Sequence, residues 1–344
     1  MPNAVVILGA GASADFGVPT LSGIFQDPYA QLLLRQDNIL EQKLMDIFWG
    51  PRGHGLKTSN QSLTIEEMLT ILRDWEQEHS IGRRPDNAEL DDFRRRLYLV
   101  IFAAVFQGKS SRAQHLNPLI ETSKRKFDRV TWASFNWDCL FESSFWYSSG
   151  PVGGRCNPTL AIRLDGWRDG ARSHEYLKLH GSINWWVVND VLSYLSFAGG
   201  GPLAPKWGDY SKGRNGDDFP VILEPSAYKY GDRCYQLLAP QWELFLQRLC
   251  EADCIIVIGY SLPEGDYQAR SKILTSFQTN TGGEWLVVDP TPEICGRYRR
   301  LLGQQRVTIL QMTLAGFNNN LVGNLQDAFP NIDFSDLVGT APAP

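Results

Sequence analysis

Val5-Val6-Ile7-Leu8 is a short, continuous apolar run that stops at Gly9. This is the pattern of a strand buried on both faces. Similar runs recur at 129–134, 176–179, 221–223, 254–258, 285–288 and 307–310, and helical spacing fills several of the gaps. The alternation predicts an α/β fold: a Rossmann-like, mostly parallel sheet with helices on both faces.

A helical insertion subdomain is expected over residues 25–125. Thr64 and Glu67 have capping-box spacing, and Ile65, Met68, Leu69, Leu72 and Trp75/Glu76 keep helical periodicity. A second helix is predicted over 89–107, with Phe93, Leu97, Val100, Ile101 and Val105 turned inward, and a short third one before Phe127. Pro240 is expected to open a helix running to Glu251. Residues 150–220 are expected to form a loop-rich insertion, with Gly199-Gly200-Gly201-Pro202 inside it. The whole predicts a single domain over 1–330 and a flexible tail over 331–344, loosening from Phe329.

Composition narrows the function. The chain has 344 residues, 43% hydrophobic and 21% charged, with a net charge of -5. That balance argues against a general nucleic-acid surface, so no direct nucleic-acid binding is expected. Arg94-Arg95-Arg96 and Lys124-Arg125-Lys126 are expected to be solvated helix faces. No apolar run reaches membrane-span length, and the first residues lack a signal-type core, so a cytoplasmic protein with no membrane association is expected. None of the six cysteines forms a C-x-x-C pair, so no zinc module and no metal are expected. Cys250 and Cys254 are expected to be core thiols. Most of the eleven tryptophans are expected in the core or at interfaces.

Four short motifs follow strand-like runs: Gly9-Ala10-Gly11-Ala12-Ser13, Asn136-Trp137-Asp138, His180-Gly181-Ser182 and Gly259-Tyr260-Ser261-Leu262. In a parallel sheet, ligands bind beyond the carboxyl ends of the strands. Gly9 permits a tight turn, and Gly11 lets backbone approach a diphosphate held by helix N-terminal amides. Ser13 can donate to the same phosphate. A third glycine of the dinucleotide fingerprint is missing. Asn136 can fix a ribose hydroxyl or a water, having both donor and acceptor. Asp138 suits either the site or a helix cap. His180 can take a proton near neutral pH, or serve only the core. His54, His79, His115 and His174 are expected in loops or on exposed helices. Ser261, behind the Gly259 turn, can reach phosphate or ribose. Asp289 suits an adenosine ribose diol, or a turn before Pro290.

Taken together these residues resemble the sirtuin family. The opening Gly9-Ala10-Gly11-Ala12-Ser13, continuing to Gly17-Val18-Pro19, resembles its first motif. Asn136-x-Asp138, His180-Gly181 and Gly259-x-Ser261-Leu262 resemble its asparagine-aspartate, histidine and ribose/phosphate motifs. Protein-deacylating sirtuins carry Asp-Phe-Arg where this chain has Thr20-Leu21-Ser22 after Pro19, and a four-cysteine zinc module where Gly181 to Phe219 has no cysteine. The departures are similar to the sirtuin-like domains of prokaryotic antiphage defence, as is Ile222-Leu223-Glu224-Pro225-Ser226 with Lys229.

The resemblance implies an NAD glycohydrolase that yields nicotinamide and ADP-ribose, with NAD as substrate. His180 and Asn136 would be catalytic. Gly9, Ala10, Gly11, Ser13, Asp138, Gly259, Ser261 and Asp289 would bind the dinucleotide. It further implies an effector held inactive until triggered, in a closed pocket or a homo-oligomer. A separate partner, such as a hexameric DNA-translocase ATPase or an Argonaute-like protein, is also implied. An NAD-dependent deacylase or ADP-ribosyltransferase, and a non-catalytic NAD or ADP-ribose sensor, are the alternatives.

Overall fold

The computed structural model describes residues 1–36, 67–72, 93–94, 96–98, 100–101, 104–105, 116–142, 144, 162–163, 173–188, 191–194, 219–223, 233–303 and 305–337. The main sheet contains β1 (Asn3–Leu8), β2 (Arg129–Ser134), β3 (Ile162–Arg163), β4 (Ser173–Lys178), β8 (Cys254–Ile258), β9 (Glu284–Val288) and β10 (Val307–Leu310). Its order is β10-β9-β8-β1-β2-β4-β3. β3, a two-residue edge strand, pairs antiparallel with β4, and the other six run parallel. All five residues of β8 are buried, as its unbroken apolar run requires of an inner parallel strand.

Helices cover this sheet: α1 (Ala10–Ala14), α2 (Pro28–Gln36), α3 (Asn117–Lys126), α4 (Arg233–Glu251), α5 (Tyr267–Thr279), α6 (Pro292–Leu302), α7 (Leu314–Asn319) and α8 (Leu321–Ala328). α4 packs on β1 and β4, and α6 on β9 and β10. The fold is α/β and Rossmann-like, as its alternating pattern predicts.

The register sets the site. Leu8 lies opposite both Ser134 and Ile258, and Ser134 lies opposite Lys178. The carboxyl ends of β1, β2, β4 and β8 are therefore level. The chain leaves β1 in one direction across the sheet through β2 and β4, and returns on its other side through β8, β9 and β10. This reversal beside β1 opens the crevice where such sheets bind ligands.

The described parts of the insertion are helical, and Met68, Leu69, Leu72, Phe93, Leu97, Val100, Ile101 and Val105 are buried, on the face their spacing indicates. Thr64, Ile65, Trp75, Glu76 and Arg95 lie outside the described residues, as do His54, His79, His115, Cys156, Glu224, Pro225, Ser226 and Lys229.

Several expectations are corrected. The 221–223 run does not join the main sheet. β7 (Phe219–Ile222) pairs antiparallel with β5 (Gly181–Val188), which also pairs with β6 (Val191–Tyr194). The loop-rich stretch thus holds a second, three-stranded sheet, started by a left-handed turn at Gly181, φ 74°. Pro240 sits inside α4, which begins at Arg233. Buried Cys234 and Leu238 anchor the turns before it, and a proline there forfeits one backbone bond.

His174 is not exposed; it lies buried in β4. Lys124 is not on a solvated face either. It is buried, and its Nζ donates to Glu121 Oε1 at 2.6 Å. Its neighbour Lys126 pairs with Asp336 and donates to the Asp333 carbonyl at 2.6 Å. The tail expected from 331 is packed through Leu337, because Phe329 and Phe334 are fully buried and Phe334 meets Phe127 edge-on at 6.4 Å. Burial of Phe334 and Leu337 offsets part of the entropy of ordering this short segment.

Candidate active site

The β1–α1 turn and the turn after β8 touch backbone to backbone. Gly11 donates to the Gly259 carbonyl at 2.8 Å, and Gly9 donates to Ile258 at 3.0 Å. A Cβ on Gly9 would fall inside contact distance of Tyr260 Cα, and one on Gly11 would lie 2.8 Å from Gly259 Cα. Glycine at these positions therefore serves the close approach of two loops. The Gly11 amide, expected to face a diphosphate, is here bonded within the protein.

The β8 turn is also held from behind. Arg297 Nη1 donates to the carbonyls of Ser261 and Leu262 at 2.6 and 3.0 Å, and Tyr298 donates to that of Tyr260 at 2.9 Å. These bonds hold Leu262 at φ 50°, a left-handed conformation that costs a side chain about 1–2 kcal/mol.

Above the turns lies a cavity of about 100 Å³. By volume it admits several waters or one small ring. Ala10, Ser13, Asn136, Asp138, His180 and Ser261 line it, together with Val18, Pro19, Ile24, Val105, Phe135, Trp137, Tyr260, Pro263 and Asp266. Six of the sequence-derived residues thus share one cavity, and Gly9, Gly11 and Gly259 form the backbone beside it. Asp289 is not among the lining residues. It follows β9 directly, and its Oδ1 accepts from the Thr291 amide at 2.9 Å, in the turn before α6. Burial pushes its carboxyl above the usual range against the pull of that bond.

A chain of bonds joins the first two motifs. Asn136 Nδ2 donates to the Gly9 carbonyl at 2.9 Å and to Ser13 Oγ at 3.0 Å. Ser13 Oγ donates to Asp138 Oδ2 at 2.7 Å, and Asp138 Oδ1 accepts from the Leu140 amide at 2.9 Å. Both amide hydrogens of Asn136 are therefore spent, and Oδ1 remains as its other polar atom. The Ser13 proton goes to Asp138. Asp138 serves both readings of its sequence context: it caps the turn after β2 and lines the cavity.

His180 lies in the turn between β4 and β5, among aromatic rings. Phe135 meets it edge-on at 5.1 Å and stacks on Tyr260 at 3.9 Å, while Trp242 lies 6.0 Å away. His180 Nε2 is 3.0 Å from Asp266 Oδ2, and that oxygen also accepts from the Tyr260 hydroxyl at 2.8 Å. Asp266 is the N-cap of α5, its Oδ1 accepting from the Ala269 amide at 3.4 Å. The sequence carries an aspartate at a helix start, but nothing local links it to His180. Phe135 and Tyr260 were equally silent as ring supports.

Behind the cavity is a buried polar cluster. Lys178, fully buried, donates to the Asp138 carbonyl and lies 3.4 Å from Glu142 Oε1. Tyr176 donates to Glu142 Oε2 at 3.1 Å. Burial raises the Glu142 carboxyl above its ordinary value, and the Lys178 charge opposes this. Burial, then the Glu142 charge, push the nearby Cys139 thiol well up, so it is no nucleophile. Among the described residues no cluster of three His, Cys, Asp or Glu could hold a metal ion, and no helix is long and apolar enough to cross a membrane.

No family model and no curated protein matches this chain. Solved structures similar to it include a Sir2 protein with a p53 peptide and NAD+, at 13% identity over 94% of this chain and 92% of that one, TM-score 0.47. Sir2Tm bound to a propionylated peptide is similar at 14% identity over 94% and 92%, TM-score 0.46. A Sir2 homologue in complex with ADP-ribose is similar at 16% identity over 95% of this chain and 93% of that one, TM-score 0.42.

Proposed function

We propose that this chain is a sirtuin-like NAD glycohydrolase, an NAD-depleting effector of antiphage defence held inactive until triggered. The observation that carries the reading is the cavity at the strand-order reversal, which a carboxamide and an imidazole both line beside two glycine turns. The Gly9–Ser13 and Gly259–Ser261 turns would flank the diphosphate and ribose, with Asp289 toward the adenosine side.

The reaction breaks the bond between nicotinamide and its ribose. Nicotinamide leaves with the bonding pair, and an oxocarbenium-like carbon forms. Asn136 Oδ1 accepts a hydrogen bond from the attacking water and sits near developing positive charge. His180 takes the proton as the water oxygen bonds to carbon. NAD and water become nicotinamide, ADP-ribose and a proton.

The bond between Gly11 and Gly259 supports a resting state from which these two turns part to admit the dinucleotide. A homo-oligomer would be the other form of this inactive state, and a separate partner, such as a DNA-translocase ATPase or an Argonaute-like protein, would act with the chain.

The test is chromatography of NAD incubated with the protein, alone and with its activating partner, with and without an acylated peptide. Nicotinamide and ADP-ribose should accumulate without peptide, and Asn136→Ala and His180→Ala should abolish this. NAD left intact in both settings, or full turnover by His180→Ala, refutes the reading. Acetyl-ADP-ribose formed with the peptide would replace it with a deacylase.

A further inference from the structure

We infer that Asp266, with Tyr260, is the positioning residue that selects the working nitrogen of His180: Nε2 carries the proton, and Nδ1 is the atom that acts as base. The inference rests on the glycohydrolase reading for its chemistry, but not for its geometry.

A neutral imidazole holds one proton, and the stronger acceptor beside it decides which nitrogen keeps it. Asp266 Oδ2, 3.0 Å from Nε2, is a carboxylate oxygen and can only accept while ionised. The Tyr260 hydroxyl donates to the same oxygen at 2.8 Å and so does not compete for Nε2. With Nε2 donating, the lone pair of the neutral ring lies on Nδ1. As the ring accepts a proton there, the carboxylate stabilises the imidazolium through the bond already in place.

Three features hold the carboxylate on target. Asp266 is 3% exposed, so solvent does not dilute its bond to the ring. Its other oxygen is tied to the Ala269 amide, so α5 fixes its direction. Tyr260 is pressed flat on Phe135, whose edge fixes the imidazole plane. The residue that caps a helix thus orients a histidine in the turn after a distant strand.

The experiment is ¹⁵N NMR of imidazole-labelled protein at about pH 8, beside NAD kinetics and ADP-ribose binding for wild type, Asp266→Asn and Tyr260→Phe. The wild type should show His180 protonated at Nε2 alone. Asp266→Asn keeps the shape and offers an amide, so Nδ1–H should appear. Its kcat should fall about 10²- to 10⁴-fold, with KM and ADP-ribose affinity within about threefold of wild type. Tyr260→Phe should keep the tautomer and lose less activity. A wild-type ring protonated at Nδ1, or at both nitrogens, overturns the inference. So does an unchanged tautomer in folded Asp266→Asn. The tautomer is observable in a protein that leaves NAD intact, so failure of the glycohydrolase reading is told apart from failure of this one.

Discussion

Replacing Lys178 by methionine tests whether the buried cluster behind the cavity supports the site. The substitution keeps the length of the side chain and removes its charge. Glu142 then stays buried with Tyr176 as a neutral donor at 3.1 Å and no cation, and the Asp138 carbonyl loses its partner. Breaking a buried pair by deleting one partner costs about 3–5 kcal/mol. Unfolding entropy of about 2.1 cal/mol/K per residue gives roughly 0.7 kcal/mol/K for 344 residues. The melting temperature should therefore fall by about 4–7 °C. Removing both charges, as Lys178→Met with Glu142→Gln, should restore most of that loss.

The pH dependence has a definite sign. The folded Glu142 carboxyl lies above 4.5 because it is desolvated, and losing Lys178 raises it further. A raised acid contributes stability that is present below its unfolded value and lost as the pH rises through its folded value. The single variant should thus be weakest at neutral pH and above, and approach the double variant as the pH falls toward 4.5. Scanning fluorimetry across that range is the assay. A single variant that melts within about 1 °C of the double variant at pH 7 refutes the reasoning.

Two further outcomes are expected. Gly181→Ala must place a side chain at φ 74°, with its Cβ against the Val221 carbonyl. Circular dichroism melts should show a loss of at least about 1–2 kcal/mol, and NAD turnover should fall because His180 precedes this turn; a neutral variant would show that the turn does not fix His180. Asp289→Asn preserves the turn acceptor for Thr291 and removes the carboxylate. If Asp289 holds the adenosine ribose, the KM for NAD should rise about tenfold, one lost charged hydrogen bond, with kcat unchanged; an unchanged KM assigns it to the turn alone.

Much of the framework is legible in local pattern. Continuous apolar runs at 5–8 and 254–258 are strands because only a two-sided core accepts them, and the face of Phe93, Leu97, Val100, Ile101 and Val105 follows from the helical period. Glycine, asparagine and histidine after such runs mark where chemistry can sit, since the carboxyl ends of parallel strands open onto the crevice. Lys124 shows the limit. A basic triplet resembles a solvated face, yet only Arg125 is exposed: Lys124 is buried beside Glu121, and Lys126 is engaged by the packed C-terminal segment. Pro240 shows another: a start signal is overruled when buried side chains precede it.

By itself, then, the sequence determined the strand and helix periods, the fold class and the residues free to act at strand ends, because these depend on neighbours a few positions apart. Tertiary structure alone decided that Gly11 bonds to Gly259, that Asn136 keeps only its oxygen for the cavity, and that Asp266 faces His180. Those facts depend on strand register and helix placement, which bring together groups far apart along the chain, and no local pattern records that meeting.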